Sequence, residues 1–286
     1  MPIEEATITF EAQRPLMLRL AYRMLGSHAE AEDAVQEGWL RWQRADHAAI
    51  HQPAAWLTRV ITRICLDQLK AARRRREVYP GPWLPEPLLE EAGDEMRPDN
   101  LTLSLMMALE RLSPLERAAF LLHDVFGQPL DEVARAIDRA PATARQLAVR
   151  ARAHVQTDRP RYTVPRETGE MLARAFFTAC KTGDIGTLST LLAEGATLHA
   201  DGGGKVYNVL KVIHGADKVL RLLSGLARKR GARMDYLRFV MIDGLPGFIW
   251  RVDDEIQTTA FDMEEGRVTA IYIMRNPEKL ARLRLN

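Results

Sequence analysis

The chain has little cysteine, and none of it lies in a metal-binding spacing. Only two of its 286 residues are cysteine, Cys65 and Cys180, and neither belongs to a CxxC or Cys/His pattern. The sequence therefore predicts neither a disulfide framework nor a zinc site. Also missing are the apolar core of a signal peptide and any apolar run that could cross a bilayer. We expect a cytoplasmic protein with two buried thiols, no cofactor, no metal and no membrane partner.

Strong net charge is absent too, but the charges are unevenly distributed. The formal charge is +2. Basic residues cluster at 73–76 and along 139–161, and acidic residues cluster between 86 and 99. Such asymmetry predicts that selected surfaces meet phosphate. The length allows two or three domains.

A helix-turn-helix pattern runs from Leu130 to Val155. Its first helix presents Val133, Ala134 and Ile137 inward, and Asp138-Arg139-Ala140 makes the turn. Pro141 starts a second helix, at a position where no N–H is needed. Polar side chains at the start of such a helix can reach base edges in a major groove. By itself the pattern fits an ordinary helical hairpin with a solvated basic face about equally well.

The N-terminal part is predicted to be helical from Phe10 to about Arg76. Gly26 ends one helix, and Ser27-His28-Ala29-Glu30 forms a capping box for the next. That helix carries DAVQEGWLRW at Asp33–Trp42, and Pro53 begins a third helix that continues to Arg76. Its acidic and polar face beside two tryptophans is a candidate protein-docking surface, although for the tryptophans themselves we favour the core.

The segments Asp33–Trp42 and Pro53–Arg76 together resemble region 2 of a sigma-70-family factor of the extracytoplasmic-function class. The resemblance implies binding to core RNA polymerase, on its β and β′ subunits, through Asp33, Gln36, Glu37 and Arg41. It also implies that the loop Asp46–Gln52 and the third helix bind the melted promoter −10 strand. The residues implied for −10 DNA are Arg59, Thr62, Arg63, Lys70, Arg73 and Arg74.

The segment from Leu109 to Val155 is similar to sigma region 4, which binds the promoter −35 element. Ser113-Pro114-Leu115-Glu116 gives it a second strong helix start. Both regions in order are more specific than either alone. The residues implied for −35 DNA are Thr143, Arg145, Gln146, Arg150 and Arg152.

Between these regions, residues 78–100 form a linker with five prolines and an acidic second half. WLPEP at Trp83–Pro87 is unusual for a solvated spacer, because an exposed Trp-Leu pair normally docks on something. From residue 161 onward the pattern becomes mixed α+β. It predicts helices at Thr168–Lys181, Ile185–Ala193 and Ala216–Ala227, then strands at Thr197–Ala200, Met234–Ile242, Gly247–Val252, Ile256–Met263 and Val268–Met274, with hairpin turns at Gly244 and near Gly266.

The C-terminal part resembles the SnoaL-like cone fold. DGGGK at Asp201–Lys205 and NPEKL at Asn276–Leu280, together with WLPEP, are similar to motifs of sigma factors with a fused SnoaL-like domain, the mycobacterial SigJ type. In that group the extension regulates the sigma factor from within. The implied interdomain regulatory residues are Trp83, Leu84, Pro85, Glu86, Pro87, Asp201, Gly202, Gly203, Gly204, Lys205, Asn276, Pro277, Glu278, Lys279 and Leu280. The three glycines could receive a carboxylate from the linker or a ligand anion, or form a flexible loop.

The sequence thus predicts a multidomain chain: two all-α sigma domains, region 2 (1–77) as a helical bundle and region 4 (101–160) as a helix-turn-helix, joined by the linker (78–100) and followed by an α+β SnoaL-like cone (161–286). A small-molecule ligand in the cone is a possible partner beside core polymerase and promoter DNA. We expect no enzyme, because the acid–base candidates of the cone form no pair at a diagnostic spacing: His199, Asp201, Tyr207, His214, Asp235 and Trp250. The alternatives are a DNA-binding regulator with a ligand-sensing or catalytic SnoaL-like domain, and a conventional regulator with an effector domain.

Overall fold

A computed structural model describes residues 3–77, 79–89, 102–155 and 165–283, with backbone alone at residue 3 and over 71–77. These residues divide into two compact units. The first holds 3–77 and 105–155, and the second holds 79–89, 102–104 and 165–283. The described part of the linker therefore belongs to the same unit as the C-terminal sheet. The acidic linker segment 90–100 and residues 162–164 of the C-terminal joint lie outside the described residues.

The first unit begins with three helices: α1 (Ile3–Leu25), α2 (His28–Gln43) and α3 (Pro53–Glu77). Gly26, at φ 71°, follows the end of α1, and the Ser27 side chain caps α2 by accepting from the Glu30 amide. The predicted helices and their boundaries at Gly26, Ser27 and Pro53 are thus confirmed. Trp42 is fully buried and donates its indole N–H to the Ala6 carbonyl.

The next helix, α4 (Leu103–Leu109), has its first two residues in the second unit and the rest in the first. The first unit continues with α5 (Pro114–Phe120) with a π-helical turn at Leu121–Val125, α6 (Leu130–Ile137) and α7 (Pro141–Val155). The capping box at Ser113 is formed in full. Asp138 takes the left-handed conformation that turns α6 into α7, and a short polar side chain tolerates this backbone. The predicted helix over Leu101–Leu112 is too long, because the described helix ends at Leu109.

The second unit has three helices of seven or more residues, α8 (Arg166–Thr182), α9 (Ile185–Leu191) and α10 (Ala216–Arg230). Its strands are β1 (Leu192–Asp201), β2 (Ile213–His214), β3 (Met234–Ile242), β4 (Leu245–Val252), β5 (Glu255–Glu264) and β6 (Arg267–Met274), and a short α11 (Pro277–Leu280) follows. The prediction that α9 reaches Ala193 is wrong: Leu192 already pairs with Val268 of β6.

The six strands form one mixed sheet in the order β2-β1-β6-β5-β4-β3. All pairs are antiparallel except β1 with β6, which is parallel, so the predicted run of antiparallel strands is correct from β3 to β6. Asp243 and Gly244 join β3 to β4 with φ values of 45° and 72°, the signature of a tight hairpin turn.

The helices α8, α9 and α10 cover one face of this sheet. Alternate strand residues, such as Phe248, Trp250 and Phe261, point to the helices and form an aromatic core with Phe176 and Phe177. We call this the inner face and the opposite side the outer face. The predicted fold class, two helical regions followed by an α+β domain, is confirmed. In the described ranges, every helix is too short or too polar to cross a membrane.

Candidate functional site

The exposed side of α2 holds the residues predicted to bind polymerase. Its inner side, with Ala31, Ala34, Val35, Gly38 and Trp42, is buried. Asp33, Gln36 and Arg41 are exposed, and Arg41 donates to Glu37 at 3.0 Å. Leu40 lies on the same face with 38% of its surface exposed. Sequence reasoning missed Leu40. The signal was available, because helical spacing puts this leucine on the same face as the polar residues.

The residues predicted to bind −10 DNA fall into different environments. Arg63 and Lys70 are exposed and Arg59 is partly exposed on α3, whereas Thr62 is completely buried and donates to the Thr58 carbonyl at 2.7 Å. In this arrangement Thr62 is therefore not exposed for a DNA contact, because its hydroxyl is turned into the helix. The side chains of Arg73 and Arg74 lie outside the described residues.

Arg63 contacts the helix-turn-helix of the same unit. Its guanidinium lies 3.7 Å from the carboxylate of Asp138 and 3.5 Å from the Arg135 carbonyl. The helix predicted to hold −10 DNA thus lies against the turn that precedes the predicted −35 helix. Within α3, Lys70 pairs with Asp67 at 2.9 Å.

A buried arginine joins the two halves of the first unit. Arg117 on α5 donates to the Met24 carbonyl at the end of α1 and to the Leu109 carbonyl at the end of α4, and it pairs with Glu110 at 2.7 Å. Burial lowers the pKa of Arg117 to about 9, so the guanidinium is still protonated at neutral pH. Sequence reasoning missed Arg117, because nothing local distinguishes it from a solvated helix residue.

The predicted −35 helix, α7, presents its polar side to solvent. Ala144, Ala148, Ala151 and Val155 face the core, while Arg145, Gln146 and Arg150 are exposed and Thr143 is partly exposed. Arg152 pairs with Asp124 of the π-helical turn at 2.5 Å. Arg152 therefore fixes α7 to its own unit, a role that the prediction of DNA contact did not include.

In the second unit, the Asp201 carboxylate connects the three C-terminal and linker motifs. It is fully buried and accepts hydrogen bonds from the Tyr79 hydroxyl, the Leu84 amide, the Gly203 amide and the Lys279 ammonium, at 2.6, 2.9, 2.9 and 2.8 Å. We call these five residues the Asp201 cluster. Burial and the bond to Asp201 raise the pKa of the Tyr79 phenol, which keeps it a donor.

Lys279 contributes more than a charge to this cluster. Its ammonium also donates to the Leu84 carbonyl at 2.6 Å and lies 4.3 Å from the centre of the Trp83 ring. Cations bind the faces of aromatic rings favourably when they are shielded from water. WLPEP, DGGGK and NPEKL, which are far apart in sequence, are therefore in direct contact.

Two glycines of DGGGK are required because neighbouring residues approach their backbone closely. A Cβ on Gly203 would lie 2.3 Å from the Asn276 side chain, and one on Gly204 would lie 2.6 Å from Pro80; both have positive φ. Asn276 in turn donates to Tyr79 at 3.0 Å. The prediction that the glycines receive a linker carboxylate is wrong: they receive a linker proline, and the carboxylate is that of Asp201. Lys205 pairs with Glu278 at 3.0 Å.

A second anchor holds the linker at the β3–β4 turn. Asp243 accepts from the Leu88 amide through its side chain and from the Leu103 amide through its carbonyl, at 3.1 and 2.9 Å, and its own amide donates to the Leu88 carbonyl. Ser104 donates to Asp262 at 2.5 Å. Between the anchors, Leu84, Pro85 and Pro87 lie against the outer face, where they line a small gap with Thr258, Ala260, Tyr272 and Met274.

The acid–base candidates of the second unit do not converge. His199 and Asp201 alternate with the inward residues Leu198 and Ala200, so they lie on the outer face. There His199 packs on Tyr272. Tyr207 and His214 are exposed, and Asp235 pairs with Arg251. Trp250 is inside and donates to Thr259. The inner face that was expected to enclose a ligand is packed with aromatic rings.

Both helical regions match models of known families. Residues 9–75 match sigma-70 region 2, and residues 102–155 match sigma-70 region 4. The extracytoplasmic-function (ECF) RNA polymerase sigma factor SigJ of Mycobacterium tuberculosis is 37% identical over 287 residues, covering 94% of this chain and 91% of SigJ. The probable ECF RNA polymerase sigma factor SigI of the same species is 32% identical over 292 residues, which cover 98% of this chain and 97% of SigI.

Among solved structures, the crystal structure of SigJ superimposes with a TM-score of 0.79 at 34% identity, over 97% of this chain and 99% of SigJ. The similarity therefore extends through both helical regions, the linker and the C-terminal sheet. The chain belongs to the ECF RNA polymerase sigma factors.

Proposed function

We propose that this chain is an alternative sigma factor and that its C-terminal unit regulates it in cis. It binds core RNA polymerase in the cytoplasm and directs transcription from specific promoters. The observation that carries the proposal is the presence of sigma regions 2 and 4 in one chain, in order, over residues 9–75 and 102–155. No catalytic step is assigned to it.

Polymerase binding is assigned to the exposed face of α2. Asp33, Gln36, Glu37 and Arg41 supply polar and charged groups, and Leu40 supplies an apolar centre. A small apolar contact surrounded by polar groups is the usual composition of a protein interface. The buried Trp42 fixes the helix from behind, so the face is rigid before it meets the β′ subunit.

DNA binding is assigned to α3 and α7. Arg59, Arg63 and Lys70 would hold the backbone of the −10 strand, and Arg145, Gln146 and Arg150 would contact the −35 duplex. In a major groove, arginine forms bidentate hydrogen bonds with guanine and glutamine forms them with adenine. Because Arg152 is paired with Asp124, we assign it to positioning α7.

The contacts within the first unit describe a resting arrangement. Promoter elements at −35 and −10 lie roughly 25 base pairs apart, or about 85 Å along a duplex. Arg63 of α3 and Asp138 of the turn before α7 are 3.7 Å apart. The two promoter elements cannot be bound at the same time in this arrangement. We therefore infer that regions 2 and 4 separate when the chain binds a promoter, and that the Arg63 and Arg117 contacts between them are then lost.

The linker anchors determine how far the regions can separate. A free linker over residues 78–102 reaches about 85 Å when extended. In the second unit Leu88 and Leu103 both bind Asp243, so the residues between them add almost nothing to the reach. Even with the Asp201 cluster open, only residues 79–88 then contribute to the separation of the two sigma regions, at most about 35 Å. We propose that the two anchors restrain the sigma regions and that release of the linker activates the factor.

Run-off transcription with purified core polymerase tests the assigned function. Promoter fragments are first selected from a randomised pool by the reconstituted holoenzyme. We expect a discrete transcript with the full chain, none with core alone, and a loss of at least tenfold with Arg145→Ala at constant core binding. A chain that yields no product above core alone on any selected fragment contradicts the proposal.

A further inference from the structure

The exposed face of α7 has an apolar residue at its centre. Val149 has 56% of its surface exposed, although the helix buries four other apolar residues on its inner side. At 100° per residue, Val149 points roughly 100–160° away from Ala144, Ala148, Ala151 and Val155, towards the solvent side of the helix. Exposed single apolar residues are common, so a role for Val149 has to be argued from the residues that surround it.

Val149 lies between the polar residues that are assigned to DNA. Arg145 is one turn before it, Gln146 is three residues before it, and Arg150 is on its other flank. Seen along the helix axis, the two arginines lie on either side, and Val149 and Gln146 lie between them. A helix that enters a major groove with this face places the arginines towards the walls and the central pair towards the base edges.

In the major groove, the apolar group on a base edge is the C5-methyl of thymine. We propose that Val149 is a specificity residue that packs on a thymine methyl of the −35 element. Gln146 and Val149 are separated by about 4.5 Å along the helix, and neighbouring base pairs are separated by about 3.4 Å. The contacted thymine therefore lies in the base pair next to the one that Gln146 contacts. This inference rests on the assignment of α7 to −35 DNA.

Replacement of single thymines by deoxyuridine tests the inference, because it removes only the methyl group. Holoenzyme is bound to the selected −35 duplex in which each thymine is replaced in turn. With the natural chain we expect one position at which deoxyuridine weakens binding about fourfold, the contribution of one buried methyl-sized group. In Val149→Ala the same replacement is expected to change binding by less than 1.5-fold.

Two controls keep the outcome interpretable. Val149→Thr retains one branch methyl and should retain part of the discrimination, and Ile8→Ala removes another exposed apolar residue, on α1, and should leave it unchanged. Alanine is a better helix former than valine, so Val149→Ala is expected to fold. The inference is overturned if no thymine discriminates between the natural chain and Val149→Ala, or if Val149→Ala weakens core binding instead. Loss of −35 binding in Arg145→Ala in the same assay shows that the DNA assignment itself holds.

Discussion

Replacement of Asp201 by alanine should release the linker from the second unit. The change removes a fully buried carboxylate that accepts from four donors, including the Lys279 ammonium. Breaking a buried ion pair by removing one partner costs about 3–5 kcal/mol. None of the described linker residues 79–89 belongs to the aromatic core of the sheet, so we expect this cost to appear as local release of residues 79–89 and not as unfolding of the sheet.

Hydrogen exchange at the Leu88 amide measures this release. Leu88 donates to Asp243 rather than to Asp201, so a change in its protection reports detachment of the segment and not the loss of its own acceptor. A loss of about 3 kcal/mol lowers protection by roughly 150-fold, since each 1.36 kcal/mol is a factor of ten. The amides of β5, in the centre of the same sheet, should be unchanged.

The matched control is Asp235→Ala, which removes an exposed carboxylate that pairs with Arg251 on the same sheet. A surface pair contributes about 0–1 kcal/mol, so linker protection should stay within about threefold of the natural chain. If Asp201→Ala also stays within threefold, the Asp201 cluster does not hold the linker and the reasoning is refuted.

Arg117→Met removes the buried guanidinium that pairs with Glu110 and donates to the Met24 and Leu109 carbonyls, so the first unit should lose about 3–5 kcal/mol of stability in denaturant unfolding; a loss below 1 kcal/mol contradicts the assignment of Arg117 as the internal link. Glu37→Lys should weaken core polymerase binding at least tenfold in a pull-down titration, whereas Glu11→Lys on α1 should not; equal effects would argue against the α2 face. Because the pKa of Tyr79 is raised above its usual 10, its contribution to linker docking is complete below pH 10 and is lost as the pH rises through the raised value. The difference in linker docking between the natural chain and Tyr79→Phe, read from a ¹⁹F resonance at Trp83, should be constant below pH 10 and should shrink above it, whereas a difference that does not change with pH would exclude this role.

Local patterns were sufficient for most of the fold. Capping residues and prolines determine helix starts through backbone groups within a few residues, which is why Ser27, Pro53, Ser113 and Pro141 are all found where the sequence predicts them. The end of α9 could not be predicted in the same way. Leu192 becomes a strand residue because it pairs with Val268, a partner 76 positions away that no local periodicity reveals.

The candidate sites, too, were predictable where local periodicity determines them and unpredictable where distant residues pack together. The exposed faces of α2 and α7 follow from helical periodicity, whereas the burial of Thr62 and the central place of Arg117 depend on how helices pack together. The motifs around Asp201 could be picked out in the sequence, but not the bonds among them. The anchor at Asp243 has no signal beyond a turn-forming Asp-Gly pair, because its role arises only when Leu88 and Leu103 reach it.

The most direct test of regulation by the linker is the transcript yield of Asp201→Ala relative to the natural chain. Both are assayed with the same core polymerase and promoter fragment, at concentrations that saturate core, with Asp235→Ala as the control. If the anchored linker restrains the sigma regions, the variant should give several times more transcript while Asp235→Ala gives the same amount as the natural chain. An equal or lower yield from a variant whose Leu88 amide has lost its protection would contradict the claim.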